Sequence, residues 1–292
     1  SCITLEDLHN YIPLESEPLR GRHRGHDLYT PGVTSGGQRL NDALEYVEKN
    51  LNHRDPLGAN TYISYAKALN KAFKSHKEKL GRTINHGCTS HMSAVDSEGN
   101  MVALTYTLLN RFGSKVVLPR TGILMNNSVS YFDPRPGYPT SMAGGKRINS
   151  SNMCPTVCVK DGEAKFSVGA SGANHIVPCT MQLTAFLIDY GLSLEDAFNL
   201  PRIDVNETDL ITVDPILGEE TINQLGRHFK INVAQNLVFP KLYSCPSGVY
   251  RDNKTGKTYG ISDKNSPTSG AVSEGLHDFT EKSQVISKVP RA

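Results

Sequence analysis

The stretch Arg82–Thr107, "RTINHGCTSHMSAVDSEGNMVALTYT", sets Cys88, Thr89 and Ser90 side by side, with His91 next. On either side of Ser97-Glu98-Gly99-Asn100 the apolar residues recur every second position, in "HMSAVD" and in "NMVALTYT". That alternation around a Gly-containing turn predicts a β-hairpin. Three side chains that enzymes use as nucleophiles therefore stand together where its first strand begins. A Thr hydroxyl inside a chain is a weak nucleophile, but at a free N-terminus its own α-amine can serve as the base. An α-amine titrates near pH 8, so a useful fraction is unprotonated at neutrality. Such an enzyme must first cut itself, the hydroxyl attacking the preceding carbonyl. Spacing alone leaves open whether the cut falls before Cys88, Thr89 or Ser90. His91, two residues on, shares a strand face with Thr89, and a structural role suits it better than that of a base. Asp and His partners for a Ser triad are not evident at any telling position.

The rest of the chain is ordinary in composition. Its 292 residues hold 38% hydrophobic residues, no Trp, and 31 basic against 29 acidic side chains. A net charge of +2 builds no field for nucleic acid or a membrane surface, so neither is expected as a partner. No apolar run approaches 18 residues, and neither a signal-peptide core nor an internal repeat is found. The opening "SCITLEDLHNY" reads like the middle of a longer chain. Six cysteines are thinly spread, at 2, 88, 154, 158, 179 and 245. Cys154 and Cys158, in "CPTVC", would share a strand face, but no His joins them. Buried thiols fit that pair better than a metal site. Sequons at Asn126, Asn149, Asn206 and Asn253 permit a secreted history without showing one.

Helical periodicity covers residues 38–51 and 60–80, where Ile63, Ala66, Leu69, Ala72 and Phe73 form one face. "TPGVTSGG" (30–37) reads as a turn-rich entry to the first helix. Residues 111–153 read as long loops, and loops of that length are usually functional or disordered. "TVCVKDGEAKFSVGA" holds two short strands about Asp161-Gly162. A helix follows over about 175–190, with Pro178 in its first turn and Gly191 at its end. "SLED" (193–196) is a capping-box pattern for a short helix, and another helix is expected near 218–228. The last twenty or so residues are polar and expected to fray. The mixture of helix pairs and short strands predicts an α+β fold with antiparallel pairing.

"SGANH" (171–175) ends a strand and opens a helix. Small residues there let backbone N–H groups face a ligand at a helix start that favours negative charge, as an oxyanion hole requires. A plain strand-to-helix turn is an equally good reading of those five residues alone.

The run "TSHMSAVDSEGNMVALTYTLLNRFGSKVVLPRTGILMNN" resembles the γ-glutamyltransferase family of autoprocessing N-terminal-nucleophile hydrolases. The likeness continues through "PRPGYPTSMAGGKR", "NMCPTVCVKDGEAKFSVGASGANHI", "DYGLSLEDAFNLPRIDV" and "YGISDKNSPTSGAVSEG". Upstream, "ITLEDLHNY", "RGHDLYTPGVTSGG" and "ALNKAFKSHKEKLG" resemble the end of the family's large subunit. The resemblance implies a four-layer αββα sandwich, incomplete at the N-terminus. It divides the chain into large-subunit residues 1–88 and a small catalytic subunit, 89–292. It implies cleavage after Cys88, Thr89 as nucleophile and Thr107 as the second threonine that supports it. The oxyanion pair falls on Gly172 and Ala173, and the family's paired serines fall on Ser151 and Asn152. No cofactor or metal is implied. The partners are a small γ-glutamyl or other acyl amide, an amine or water acceptor, and the two subunits for each other. A secreted, periplasmic or membrane-anchored extracellular setting is implied as well.

Departures from the family pattern fall on donor recognition. The donor-binding Asn becomes Leu109, with Asn110 one place on; the Glu or Gln after "NN" becomes Ser128; the Asp that grips the donor's α-amine becomes Tyr131. Losing that Asp removes the charge partner of a buried ammonium, which costs several kcal/mol if nothing replaces it. The chemistry is kept while γ-glutamyl recognition is eroded, as in the family's acylase-like branch. The Arg that clamps the donor carboxylate precedes "SCITLEDL" in the family, and the segment between "KEKLG" and Thr89 is very short here. Three functions follow: a γ-glutamyl amidohydrolase or transferase acting on glutathione-type substrates, a Thr amidase for other acyl groups, or an inactive remnant with a structural role.

Overall fold

The computed structural model describes residues 4–32, 35–51, 55–80, 88–138, 141, 151–205, 210–238 and 242–274. Asn149, Asn206, Cys2, most of the segment before Thr89 and the polar C-terminal residues lie outside them. Among the described residues the α-helices are α1 (Leu5–His9), α2 (Gly36–Asn50), α3 (Ala59–Leu80), α4 (Ile176–Asp189), α5 (Leu194–Asn199) and α6 (Glu219–Gly226). The strands among them are β1 (Leu19–His23), β2 (His26–Thr30), β3 (Thr89–Val95), β4 (Met101–Thr107), β5 (Thr156–Lys160), β6 (Glu163–Ser171), β7 (Ile203–Val205), β8 (Leu210–Val213), β9 (Lys230–Val233), β10 (Cys245–Arg251) and β11 (Thr258–Ser262).

The main sheet is antiparallel throughout, in the order β1-β2-β5-β6-β10-β11. Asp161 and Gly162 join β5 to β6 at φ 53° and 82°, the left-handed pair that a two-residue hairpin turn needs. Helices α2 and α4 cover one face, and α3 packs on α2. Leu40, Leu44, Val47, Leu69, Phe73, Val168 and Phe186 are buried between these layers. Gly191, at φ +62°, follows the end of α4, where the Leu192 N–H turns back to the Phe186 carbonyl at 3.3 Å. Ser193 Oγ accepts from the Asp196 N–H at 3.1 Å and so caps α5. A three-stranded sheet, β7-β8-β9, stands beside α3, α4 and α6, with β8 and β9 parallel.

Strands β3 and β4 pair in register, Thr89 with Thr107 and Val95 with Met101. Asp96 closes the turn, its Oδ1 accepting from the Glu98 and Asn100 N–H groups, with Gly99 at φ +93°. An isolated two-stranded ribbon is marginal in water. This one stacks on the free face of the main sheet, against β6 and β10. Its inward residues are mostly polar, Thr89, His91, Ser93, Thr105 and Thr107, with Val95, Met101 and Ala103 on the same face toward the turn. Met92, Val102, Leu104 and Tyr106 face outward, about half exposed. The small residues Ser167, Gly169 and Ser247 receive the polar face. Ser167 Oγ donates to Ser93 Oγ at 2.9 Å, and Ser247 Oγ donates to the His91 carbonyl at 3.1 Å. Any Cβ at Gly169 would collide with the His91 ring. The described residues thus supply an α, a β and a second β layer.

Strands β1 and β2 had no counterpart in the sequence reading. "LRGRH" and "HDLYT" carry too few apolar residues to show alternation, and polar contacts hold them instead. His23, fully buried, bonds Asp189 at 2.6 Å, and Arg24 bonds Asp189 at 3.0 Å. The loops 111–138 are ordered by backbone bonds, Ser114 N–H to Met125 O and Leu118 N–H to Ile123 O, both at 2.9 Å.

Candidate active site

At the open end of the β3–β4 ribbon the Thr107 hydroxyl is the centre of a small network. It accepts from Thr89 Oγ1 at 3.2 Å and from the Leu109 N–H at 2.9 Å. It donates to the Cys88 carbonyl at 3.1 Å. The Leu108 N–H reaches the same carbonyl at 3.3 Å. The carbonyl of the Cys88–Thr89 bond therefore has two donors aimed at it, with the Thr89 hydroxyl alongside. Cys88 is exposed, and Ser90 points to the ribbon's outer face.

His91 sits on the same inward face as Thr89 but is occupied elsewhere. Its Nδ1 bonds Thr105 Oγ1 at 2.7 Å and its Nε2 bonds Ser93 Oγ at 3.1 Å. Burial pushes its pKa down to about 4, so the ring is neutral at pH 7 and ties the ribbon together. Cys154, Cys158 and Cys179 are buried thiols, each pushed up to about 12 by desolvation. No cluster of metal-ligating side chains occurs among the described residues.

The stacking of β3 on β6 puts Ser93 on Ser167 and His91 on Gly169. The same two-residue step carries Thr89 toward Ser171 and the turn that follows it. There Gly172 has φ +132° and Ala173 φ +52°, two successive residues in a region that L-residues avoid. Ser244 Oγ donates to the Ser171 carbonyl at 2.6 Å, and a Cβ on Gly172 would lie 3.1 Å from Ser244 Cα. The Gly172 carbonyl accepts from the His175 N–H at 3.0 Å, closing a single 3₁₀ turn that runs into α4.

This turn has a sharp mutational signature. Gly172→Ala adds a side chain both at positive φ and against Ser244, and should destabilise the protein by about 1–3 kcal/mol. Ala173→Gly removes a strained side chain and should be neutral or stabilise by up to about 1 kcal/mol. Urea midpoints that move the same way for both variants would contradict this geometry.

The positions expected from the resemblance to recognise a donor form two groups. Leu109, at φ +70° and fully buried, packs on buried Tyr131 in an apolar cluster of their own. Asn127 binds the end of the ribbon: its N–H donates to the Leu108 carbonyl at 3.2 Å, and its Oδ1 accepts from the Asn110 N–H at 3.0 Å. The Ser128 N–H donates to Asn126 Oδ1 at 2.9 Å. Asn110, Ser128 and Tyr131 are thus carried on one loop system beside Thr107.

Ser151 and Asn152 lie in the second group, next to α2. Ser151 Oγ meets Ser35 Oγ at 2.7 Å, and its carbonyl accepts from Arg39 at 2.8 Å. Asn152 Oδ1 accepts from Arg39 at 2.7 Å, while Asn152 Nδ2 donates to Asn174 Oδ1. No local pattern in the sequence marks Ser35, Asn174 or Ser244 for these contacts. One signal was available: Arg39 falls on the apolar stripe of α2, one turn before Ala43.

A family profile described as Gamma-glutamyltranspeptidase matches residues 59–273. The Glutathione hydrolase proenzyme of Escherichia coli is 32% identical over 252 residues, covering 68% of this chain and 43% of that protein. An Acylase ACY proenzyme of a Pseudomonas species is 30% identical over 238 residues, covering 68% and 42%. The chain thus spans less than half the length of these relatives. Among solved structures, the cephalosporin acylase from Bacillus halodurans superposes with TM-score 0.79 at 23% identity, over 90% of this chain and 54% of that one. The γ-glutamyltranspeptidase from Pseudomonas nitroreducens superposes with TM-score 0.53 at 24% identity, over 63% of this chain and all of that one. These likenesses establish the α+β fold as that of the N-terminal-nucleophile hydrolases. The profile covers well over half of the chain, and the chain belongs to the γ-glutamyltranspeptidase family.

Proposed function

We propose that the chain is an autoprocessing Thr amidohydrolase or acyltransferase of γ-glutamyl-type amides. The observation that carries this reading is the Thr89–Thr107–Cys88 network, a hydroxyl beside a peptide carbonyl already held by two donors. Thr89 Oγ attacks the Cys88 carbonyl carbon. The Leu108 N–H and Thr107 hydroxyl hold the developing oxyanion, and the hydroxyl proton passes to the departing Thr89 nitrogen. The product is an ester with a free amine. Water then adds to the ester, releasing Cys88 as a carboxylate and Thr89 with its α-amine and hydroxyl. The division is residues 1–88 and 89–292, as large-subunit and small-subunit parts that remain partners.

In turnover the freed α-amine takes the hydroxyl proton as Thr89 Oγ attacks the substrate amide, and returns it to the leaving amine. The Gly172 and Ala173 N–H groups hold the oxyanion. Water or a second amine then takes the acyl group from Thr89. Asn110, Ser128, Tyr131, Ser151 and Asn152 are assigned to the donor side, the first three beside Thr107 and the last two beside α2. The relatives named a glutathione hydrolase and an acylase support both halves of this reading, self-cleavage and amide chemistry.

A second reading concerns the acyl group. Leu109 and Tyr131 make an apolar pair where the family places an amide and a carboxylate, which favours an uncharged acyl chain over an α-amino acid. An ammonium bound there without its carboxylate loses several kcal/mol. On this second reading an aliphatic acyl-anilide should exceed γ-glutamyl-anilide in kcat/KM by about 10²-fold, each 1.4 kcal/mol being tenfold. The assay is run on the self-cleaved protein supplied with the remaining large-subunit part. Equal rates, or a preference for the glutamyl compound, would return the assignment to γ-glutamyl amides. No turnover of either, with the chain uncut, would identify a structural remnant.

A further inference from the structure

The side chain least expected in an αβ layer is Arg39, fully buried in α2 beneath the loop that leads into β5. Its guanidinium lies over the Phe73 ring of α3, 5.1 Å from the centroid. One nitrogen donates to the Ser151 carbonyl at 2.8 Å and another to Asn152 Oδ1 at 2.7 Å. Ser35 reinforces the attachment, its Oγ donating to the Met153 carbonyl at 3.1 Å, and the Gly36 N–H reaches the same carbonyl at 3.0 Å. Gly36 has no room for more, since a Cβ there would lie 2.8 Å from Cys154 Cβ.

The far side of Asn152 leads to the candidate oxyanion turn. With Oδ1 held by Arg39, the Asn152 amide can present only its Nδ2 hydrogens onward, and it gives one to Asn174 Oδ1. Asn174 is itself buried and follows directly on the strained Gly172–Ala173 pair. A strained turn persists only where its surroundings over-determine it. On the nucleophile side the turn is bounded by Ser244; on the helix side the His175 N–H closes on the Gly172 carbonyl, the His175 ring pairs with Asp204 at 2.8 Å, and Asn152 grips Asn174 between them and the strand.

We propose that Arg39 is a positioning residue for the oxyanion turn, acting through Asn152 and Asn174 to hold the Gly172 and Ala173 N–H groups. The assignment rests on those two N–H groups being the oxyanion donors. A guanidinium suits the task because its planar fork meets two acceptors at once, whereas an ammonium reaches them singly. Burial strengthens each bond and makes the amide's orientation single-valued. Self-cleavage does not depend on this relay, because the carbonyl attacked there is held by Thr107 and Leu108.

The test is amide hydrogen exchange on the full chain, which needs no catalysis. In Arg39→Met, a peptide spanning residues 172–175 should exchange about tenfold faster, as local opening is released, while 89–107 is unchanged. Arg39→Lys should fall between the two. Cutting at Cys88–Thr89 should keep its rate, and in an active preparation kcat should fall about tenfold or more, as misplaced donors predict. Asn174→Ala, which leaves Arg39 holding Ser151 and Asn152, should lower kcat likewise with KM within about twofold. Should Arg39→Met fail to fold, Asn174→Ala severs only the last link and must show the same exchange signature. Unchanged exchange at 172–175, or a uniform rise across the main sheet, overturns the proposal. If the wild-type chain turns over no amide, the reaction assigned above fails, while the exchange result still decides the role of Arg39.

Discussion

Thr89→Ala should leave a single uncut chain on a denaturing gel, where the parent yields two fragments, the larger, residues 89–292, beginning at Thr89. The hydroxyl is the attacking atom in both reactions, so removing it should abolish cutting and lower amide turnover by at least about 10⁴-fold. The fold should survive, because Thr89 contributes one 3.2 Å bond to Thr107 and the register of the ribbon runs from Thr89 to Val95. Thr89→Ser keeps the hydroxyl and should still cut, more slowly. N-terminal sequencing of the larger fragment checks the bond. Two fragments persisting in Thr89→Ala would remove Thr89 from the mechanism and return the question to Cys88 and Ser90.

Thr107→Val is the second test, and it separates positioning from nucleophilicity. Valine keeps the shape and β-branching of threonine in the strand and deletes only the hydroxyl. The Cys88 carbonyl then retains the Leu108 N–H alone, and the Thr89 hydroxyl loses its acceptor. Removing one oxyanion donor costs about 10²–10³ in rate. A time course of fragment appearance should therefore slow from parent to Thr107→Val by that factor, while Thr107→Ser stays within about tenfold because it keeps the donor. Cutting at the parental rate in Thr107→Val would mean that the carbonyl is not activated by this hydroxyl.

Much of the scaffold was legible before any coordinates. The period-two alternation around Ser97–Asn100 identified the ribbon, and the Asp161-Gly162 turn, Gly191 and Ser193 marked the ends of their elements for stated local reasons. Strands β1 and β2 were not legible, because "LRGRH" and "HDLYT" are held by His23, Arg24 and Asp189, residues far apart in the chain. The donor loops were recognised only as long loops. Their order comes from scattered backbone bonds and from Asn127, which no local periodicity announces.

By itself, the sequence determined most of the element types and the α+β class, and the resemblance it carries implies Cys88–Thr89 as the bond proposed for maturation. These follow from local periodicity, turn chemistry and the resemblance carried by the quoted runs. Only the tertiary structure decided which face of the ribbon turns inward. Its more polar side is turned in against Ser167, Gly169 and Ser247, and its more apolar side is left outward, the reverse of what hydropathy alone would choose. Tertiary structure also brought Arg39 to Ser151 and Asn152. The reason is the same in both cases: alternation and spacing specify which residues share a face, but not what that face will meet. That is set by groups from β6, β10 and α2, distant in sequence, whose size and hydrogen bonding decide what can lie against Thr89 and its neighbours.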